Sequence, residues 1–280
     1  MAGATLQLRL VKECLLELEI HIPQNGLQTV VKSIIYYRGY NAPGAYEKLL
    51  PDGNAQLIIA LDDSWRILPQ AGLSFRHAWI TGMQTRPLIY TAEQEASTVC
   101  IQLQPDGLFM LTGIPAIEFQ DMLIEATAVW GTAITHLREK LLHAHHSQEI
   151  IALITTFLQK QSPSHTPTQE FILYIQQQLS QGQPLSEISR TVGYSHKQLI
   201  HIFKKQVGLS PKKYQRLLRF NKTLTLLAAN PLPDDIVTAC HFYDQAHYIK
   251  EFKQFTGYTP TEYLSYPRNY PHVIPLNTLT

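Results

Sequence analysis

Between Glu187 and Lys222 the chain carries nine cations, Arg190, Lys197, Lys204, Lys205, Lys212, Lys213, Arg216, Arg219 and Lys222, against one acid, Glu187. Ammonium and guanidinium groups gathered on one short stretch are the electrostatic footprint of phosphate binding. The chain as a whole shows no such bias, with 23 Lys and Arg against 22 Asp and Glu. The imbalance is regional. From Thr166 onward 12 Lys and Arg face 7 Asp and Glu, a net of +5, which leaves 11 against 15, or −4, on the first 165 residues.

Other groups capable of chemistry form weaker patterns. His136, His143, His145 and His146 lie close together, but no Cys or carboxylate completes a metal-ligand set at a diagnostic spacing, so they read as a solvated helix end. Cys14, Cys100 and Cys240 stand alone, the last two in apolar sequence, which suits small buried residues in a reducing cytoplasm better than a disulfide framework or a nucleophile. Asp62 and Asp63 are adjacent and would point opposite ways, as in a solvated turn. Tyr36, Tyr37, Tyr40, Tyr46, Trp65 and Trp79 could line a ligand cavity, although core packing suits each of them better. No Gly-rich phosphate loop and no Ser-His-Asp arrangement occurs. We therefore expect no catalytic residue, no metal site and no cofactor. No apolar run is long enough to span a bilayer and no signal layout opens the chain, so a cytoplasmic protein without membrane attachment is expected.

The cations sit in a sequence that says one thing twice. Phe203-Lys204, Gly208, Ser210-Pro211 and Tyr214 return at the same spacing as Phe252-Lys253, Gly257, Thr259-Pro260 and Tyr263. Upstream, Glu187-Ile188 matches Asp235-Ile236 at an offset of 48 rather than 49, so one extra residue has entered the second copy between its two helices. Each copy has the grammar of a helix-turn-helix. Ile188 and Val192 share a face, Gly193-Tyr194 breaks the helix, and Ser195 with Gln198 forms a capping box for the next one. Leu199, Ile202 and Phe203 continue one buried stripe until Gly208 stops it. Ser210-Pro211 then starts a third helix. The second copy substitutes Asp244 as N-cap, Tyr248 and Phe252 as core knobs, Gly257 as stop, and Thr259 with Glu262 as capping box. Between the copies Leu217, Leu218, Leu224 and Leu227 predict a long connecting helix, closed by Asn230-Pro231.

Residues 166–268 resemble the DNA-binding half of the AraC/XylS-type bacterial transcription regulators. The matching segments are Val192-Gly193-Tyr194-Ser195, Phe203-Lys204-Lys205, Gly208-Leu209-Ser210-Pro211 and Phe242 to Lys253. The resemblance implies an all-α domain of two helix-turn-helix units joined by a long helix, with double-stranded DNA as partner. Carried over by position, Lys197 and His201 would read bases, with Ser195, His196 and Gln198 at phosphate or base edges. Lys204 and Lys205 would hold phosphate, and Gln245, Ala246, His247, Lys250 and Lys253 would serve the second unit. His241 stands where the family has its turn glycine, at a modest conformational cost.

The first half reads differently. Leu6 to Leu10, Leu16 to Ile20 and Ala55 to Leu61 predict strands, and Pro51-Asp52-Gly53 and Pro105-Asp106-Gly107 predict turns between strand-like segments. From Glu118 to Gln159 the period becomes helical, with Leu123, Trp130, Ile134, Leu137 and Leu141, then Ile150, Ile151, Ile154 and Leu158. The fold expected is α+β: a β-rich barrel or half-barrel (cupin-like) followed by helices, then the all-α domain. Leu49 to Ile58 and Gly113-Ile114-Pro115 resemble a family of N-terminal domains with no assigned ligand. The expected organisation is a sensor or dimerisation domain over 1–160, a linker over 161–167, the DNA-binding domain over 168–268 and a tail over 269–280. Such a protein is expected to regulate transcription, under a small-molecule effector or through a homodimer. The alternative is an enzyme fused to a DNA-binding domain, of the DNA-repair methyltransferase-regulator type, which needs an activated cysteine cluster.

Overall fold

The computed structural model describes residues 5–7, 17–24, 26–92, 95–161, 167–227, 232–266 and 270–279. Cys14, Asn230-Pro231 and most of the expected linker lie outside them. The N-terminal half is built from β1 (Thr5–Gln7), β2 (Glu17–His21), β3 (Val31–Tyr40), β4 (Tyr46–Leu49), β5 (Gln56–Ala60), β6 (Arg66–Leu68), β7 (Leu73–Phe75), β8 (Ala78–Thr81), β9 (Leu88–Thr91) and β10 (Ala96–Leu103). After them come α1 (Gly107–Thr112), a 3-10 turn (Ala116–Phe119), β11 (Leu123–Glu125), α2 (Thr127–Trp130), α3 (Thr132–His143) and α4 (Ser147–Gln161). The second half is α5 (Pro167–Ser180), α6 (Leu185–Val192), α7 (His196–Val207), α8 (Pro211–Leu227), α9 (Pro233–Ala239), α10 (Gln245–Thr256), α11 (Pro260–Ser265) and β12 (Val273–Leu276). The architecture is mixed, β-rich first and helical after, with sheets that do not close into a barrel.

Alternation along the strands decides what each sheet face covers. One sheet runs β1-β2-β3-β10-β5-β8-β11, and every pairing in it is antiparallel. Ile34 and Tyr36, Val99 and Ile101, and Leu57 and Ile59 lie opposite one another on one face. That face is buried under α1 to α4, against Ile134, Leu137, Leu141, Ile150, Ile154 and Leu158. A second sheet runs β12-β4-β9. Leu50, Ile89, Ile274 and Leu276 on and beside it belong to the core of the helical half, alongside Phe203, Leu217, Phe220 and Phe252. The two halves therefore share a core.

Three segments differ from the sequence reading. Residues after Pro105-Asp106-Gly107 form α1 rather than a strand, because Leu108, Met110 and Leu111 find their apolar partners on one helical face. Leu123 to Glu125, expected to be helical, is β11, held by Thr81, Ile80 and Trp79 across the sheet; three residues carry no readable period of their own. The segment expected as a tail supplies β12, which pairs with Tyr46 to Leu49.

Candidate nucleic-acid interface

Local chemistry sets the first unit as its sequence implies. Gly193 takes φ 73 between α6 and α7, and the Ser189 hydroxyl donates to the Tyr194 carbonyl across the turn at 2.5 Å. Ser195 caps α7: its hydroxyl accepts from the Gln198 amide at 3.3 Å, and its own amide donates to the Gln198 side chain at 3.0 Å. Capping of this kind contributes about 1 kcal/mol. Leu199 and Phe203 are buried, so His196, Lys197, Gln198, His201, Lys204 and Lys205 are left exposed. The Gln198 amide oxygen is already engaged by Ser195, and Lys205 Nζ stands 5.6 Å above the Phe109 ring of α1.

The second unit repeats the plan with different internal bonds. His241 adopts φ 55 at the turn, the left-handed conformation its position in the repeat requires. The Asp244 carboxylate caps α10 through the His247 amide at 2.7 Å. Gln245 donates to Asp234 at 2.6 Å, and the His247 ring receives the Tyr243 amide at 3.3 Å while its Nε2 lies 3.5 Å from Glu251. Ala246, Lys250 and Lys253 are exposed. Thr259 and Glu262 form the expected capping box of α11, and the Thr259 amide and hydroxyl hold the Glu262 carboxyl below its usual range.

Tertiary contact reassigns part of the cation cluster. Glu251 of α10 is 3% exposed and accepts from Arg216 Nε at 3.0 Å, from Arg219 Nε at 2.9 Å and from Arg219 Nη2 at 3.0 Å. Arg219 also lies over Phe242 and Arg216 over Phe255, and Lys222 donates to the Ala239 carbonyl at 2.6 Å. Three of the nine cations thus brace α8 against the second unit. Arg190, Lys197, Lys204, Lys205, Lys212 and Lys213 remain exposed. Sequence reading missed Glu251, although its place three residues after buried Tyr248 marks it as inward-facing. It also missed Tyr243, 91% exposed, which fills the extra position of the second copy while Phe242 beside it is buried.

The remaining candidates do not assemble. Among the described residues no group of three or more His, Cys, Asp or Glu could hold a metal, and no helix is long and apolar enough to cross a membrane. Burial pushes the Cys100 thiol up, away from the thiolate a nucleophile needs. Asp62 is no solvated turn: burial raises its carboxyl, but hydrogen bonds from Arg66, at 2.5 and 2.8 Å, and from the Ser97 amide bring it down to about 2.

Two capped helix-turn-helix units, braced by one long helix and each presenting polar side chains on its second helix, define a tandem helix-turn-helix domain. Residues 188–266 match a family model described as a helix-turn-helix domain, and residues 19–125 match a domain of unknown function, DUF6597. The chain is 28% identical over 113 residues to the uncharacterized HTH-type transcriptional regulator YbfI of Bacillus subtilis, covering 40% of this chain and 41% of that one. It is 28% identical over 91 residues to the probable transcriptional regulator LumQ of Photobacterium leiognathi, covering 32% and 37%. These matches span about two fifths of the relatives' own length. Among solved structures, unsaturated-fatty-acid-bound ToxT of Vibrio cholerae aligns with TM-score 0.44 at 9% identity, over 82% of this chain and 94% of that one. The C-terminal segment is thus similar to helix-turn-helix domains, preceded by residues that match a domain of unknown function.

Proposed function

We propose that this protein is a sequence-specific DNA-binding transcriptional regulator without enzymatic activity, acting in the cytoplasm. The observation that carries the reading is the pair of exposed, capped helix starts on α7 and α10, braced by α8. In helix-turn-helix docking such N-terminal residues enter the major groove. Lys197 and His201 read bases, and Ser195, His196 and Gln198 meet phosphate or base edges. Lys204 and Lys205 hold phosphate. In the second unit Lys250 and Lys253 supply charge and Ala246 an apolar contact, with Gln245 and His247 alongside; Tyr243 adds an exposed phenol at the same helix start. The two helices would address adjacent major-groove segments about 34 Å apart. Domain limits of 1–160, 161–167 and 168–268 fit this division of labour, with β12 returning to the first domain. The first domain controls arrangement or assembly, through a small-molecule effector or a homodimer, and two DNA-binding halves held together gain effective concentration on paired sites.

Binding titrations on operator and scrambled DNA at several salt concentrations test the reading. Lys197→Ala should cost on the order of 1–3 kcal/mol on the operator and relax specificity at one base position. Equal loss on both DNAs would remove Lys197 from base reading. Footprints showing no protected major-groove segment would overturn the function itself.

A further inference from the structure

Two Pro-Asp-Gly turns of the first half lie near the helical half, one against α8 and one at the start of α1, which packs on α7, and their aspartates live in opposite circumstances. A Cβ on Gly53 would stand 3.5 Å from Asn221 and 3.8 Å from Leu217. Its neighbour Asp52 is fully employed, accepting from the Asn54 amide at 3.0 Å and from Gln56 and Gln102 at 2.8 and 3.1 Å. Asp106, in the second turn, is 0% exposed, and among the described residues its carboxylate oxygens have no hydrogen-bond partner beyond a weak contact with its own backbone amide. The backbone beside it lies close against the residue preceding β3, since a Cβ on Gly107 would be 2.2 Å from the Val30 carbonyl. An isolated carboxylate in such a place is strongly disfavoured, and it neutralises or finds water.

The surroundings of Asp106 are the seam between the two halves. α1, which begins beside it, packs against α7, as does the 3-10 turn Ala116–Phe119. Gln169 of α5 reaches across to donate to the Thr29 carbonyl at 2.7 Å. From α8, Tyr214 is the titratable group that faces Asp106, and it is 4% exposed. The charged side chains on the helices packed against α1, Lys197, Lys204 and Lys205 of α7 and Glu149 and Lys160 of α4, are exposed, and among the described residues none forms an ion pair with Asp106. The turn Leu27–Thr29 brings no acid or base, and the one base at the start of β3, Lys32, is exposed and donates to Asn54 at 3.1 Å.

We propose that Asp106 is a proton-controlled latch on this seam: with its carboxyl neutral the first helix-turn-helix unit stays docked on α1 and residues 116–119, and ionisation drives the seam open so that the carboxylate can reach water. Burial pushes the Asp106 carboxyl up to about 6, and it raises the Tyr214 hydroxyl too, with the charge of Asp106 adding to that rise. A carboxyl raised in the docked form binds its proton more tightly there than when exposed. Docking is therefore strongest in acid and weakens as pH rises through about 6. A rise from 3.8 to about 6 corresponds to roughly a hundredfold in the docking equilibrium, about tenfold of it between pH 5 and 7.5. The seam holds the C-terminal end of α7 and leaves its exposed N-terminal residues uncovered. Opening would thus let the DNA-binding half reorient. Only that consequence rests on the proposed function.

Hydrogen exchange of the full chain without DNA, corrected for the intrinsic pH dependence, tests the latch. Amides of residues 116–119 and 206–209 should exchange about tenfold faster, relative to that correction, at pH 7.5 than at pH 5. Asp106→Asn, which keeps the shape and cannot ionise, should remove the difference and keep the seam protected at pH 7.5. Carboxyl carbon NMR of the unsubstituted chain gives an independent reading should the variant fold poorly. Asp106 titrating in the ordinary carboxylate range, or seam protection that is independent of pH, would overturn the latch. So would an Asp106→Asn chain that keeps the pH dependence. Loss of DNA binding at every pH in other variants would bear on the proposed function and leave the latch untouched.

Discussion

A methyl group added to Gly208 should cost far more than the same group added to its repeat partner Gly257. Both glycines end a helix in the left-handed region, at φ 89 and 82, and both donate an amide to a lysine carbonyl four residues back, at 3.0 and 2.8 Å. Alanine in that conformation costs about 1–2 kcal/mol at either site. Their surroundings differ. A Cβ at 208 would stand 2.8 Å from the Ala116 carbonyl oxygen and 3.2 Å from its carbon, both rigid backbone of the other half. A Cβ at 257 would meet only Lys48 Nζ at 3.4 Å, the movable end of a side chain. Overpacking against backbone adds about 1–3 kcal/mol. Gly208→Ala should therefore lose about 2–5 kcal/mol and Gly257→Ala about 1–2, the excess arising in the seam. Urea unfolding of the full chain measures both, and hydrogen exchange at 116–119 shows whether the seam loosens in the first variant alone. Equal losses, or an undisturbed seam in Gly208→Ala, would refute the argument.

Two further outcomes follow from the same contacts. Glu251→Ala removes the carboxylate that Arg216 and Arg219 share, leaving them only Gln254 and the His241 carbonyl, and since those arginine side chains are 30% and 22% exposed the loss should lie near the lower end of the range for a broken buried pair, about 3 kcal/mol in urea unfolding; a loss below about 1 kcal/mol would mean that the brace between α8 and α10 is dispensable. Ending the chain after Arg268 removes β12, uncovering the β4 edge. Small-angle scattering should then show a larger radius of gyration and concentration-dependent association through that edge, and an unchanged profile would refute the strand's role.

What the residues announced by themselves was local. The capping pairs Ser195 with Gln198 and Thr259 with Glu262, the stops at Gly208 and Gly257, and the stripe of Leu199 and Phe203 depend on neighbours a few positions away, where chain geometry leaves little choice. The tandem repeat, and with it the class of the C-terminal domain, was legible for that reason, as was the strand pattern of β2 and β5. Contacts between distant residues leave no such trace. Arg216 and Arg219 counted as phosphate-binding cations until the fold set Glu251, 35 and 32 residues further on, against them. Val273 to Leu276 carries too short a pattern to name β4 as its partner. Asp106 sits in a Pro-Asp-Gly motif that reads as a turn between strands, and nothing local says that it will be buried. Local sequence determined where the capped helices of the repeat start and stop, because backbone hydrogen bonding and side-chain spacing are settled within a turn or two. The tertiary structure decided which charges face solvent and which are buried in a seam, because burial depends on surfaces that meet only when both halves have folded.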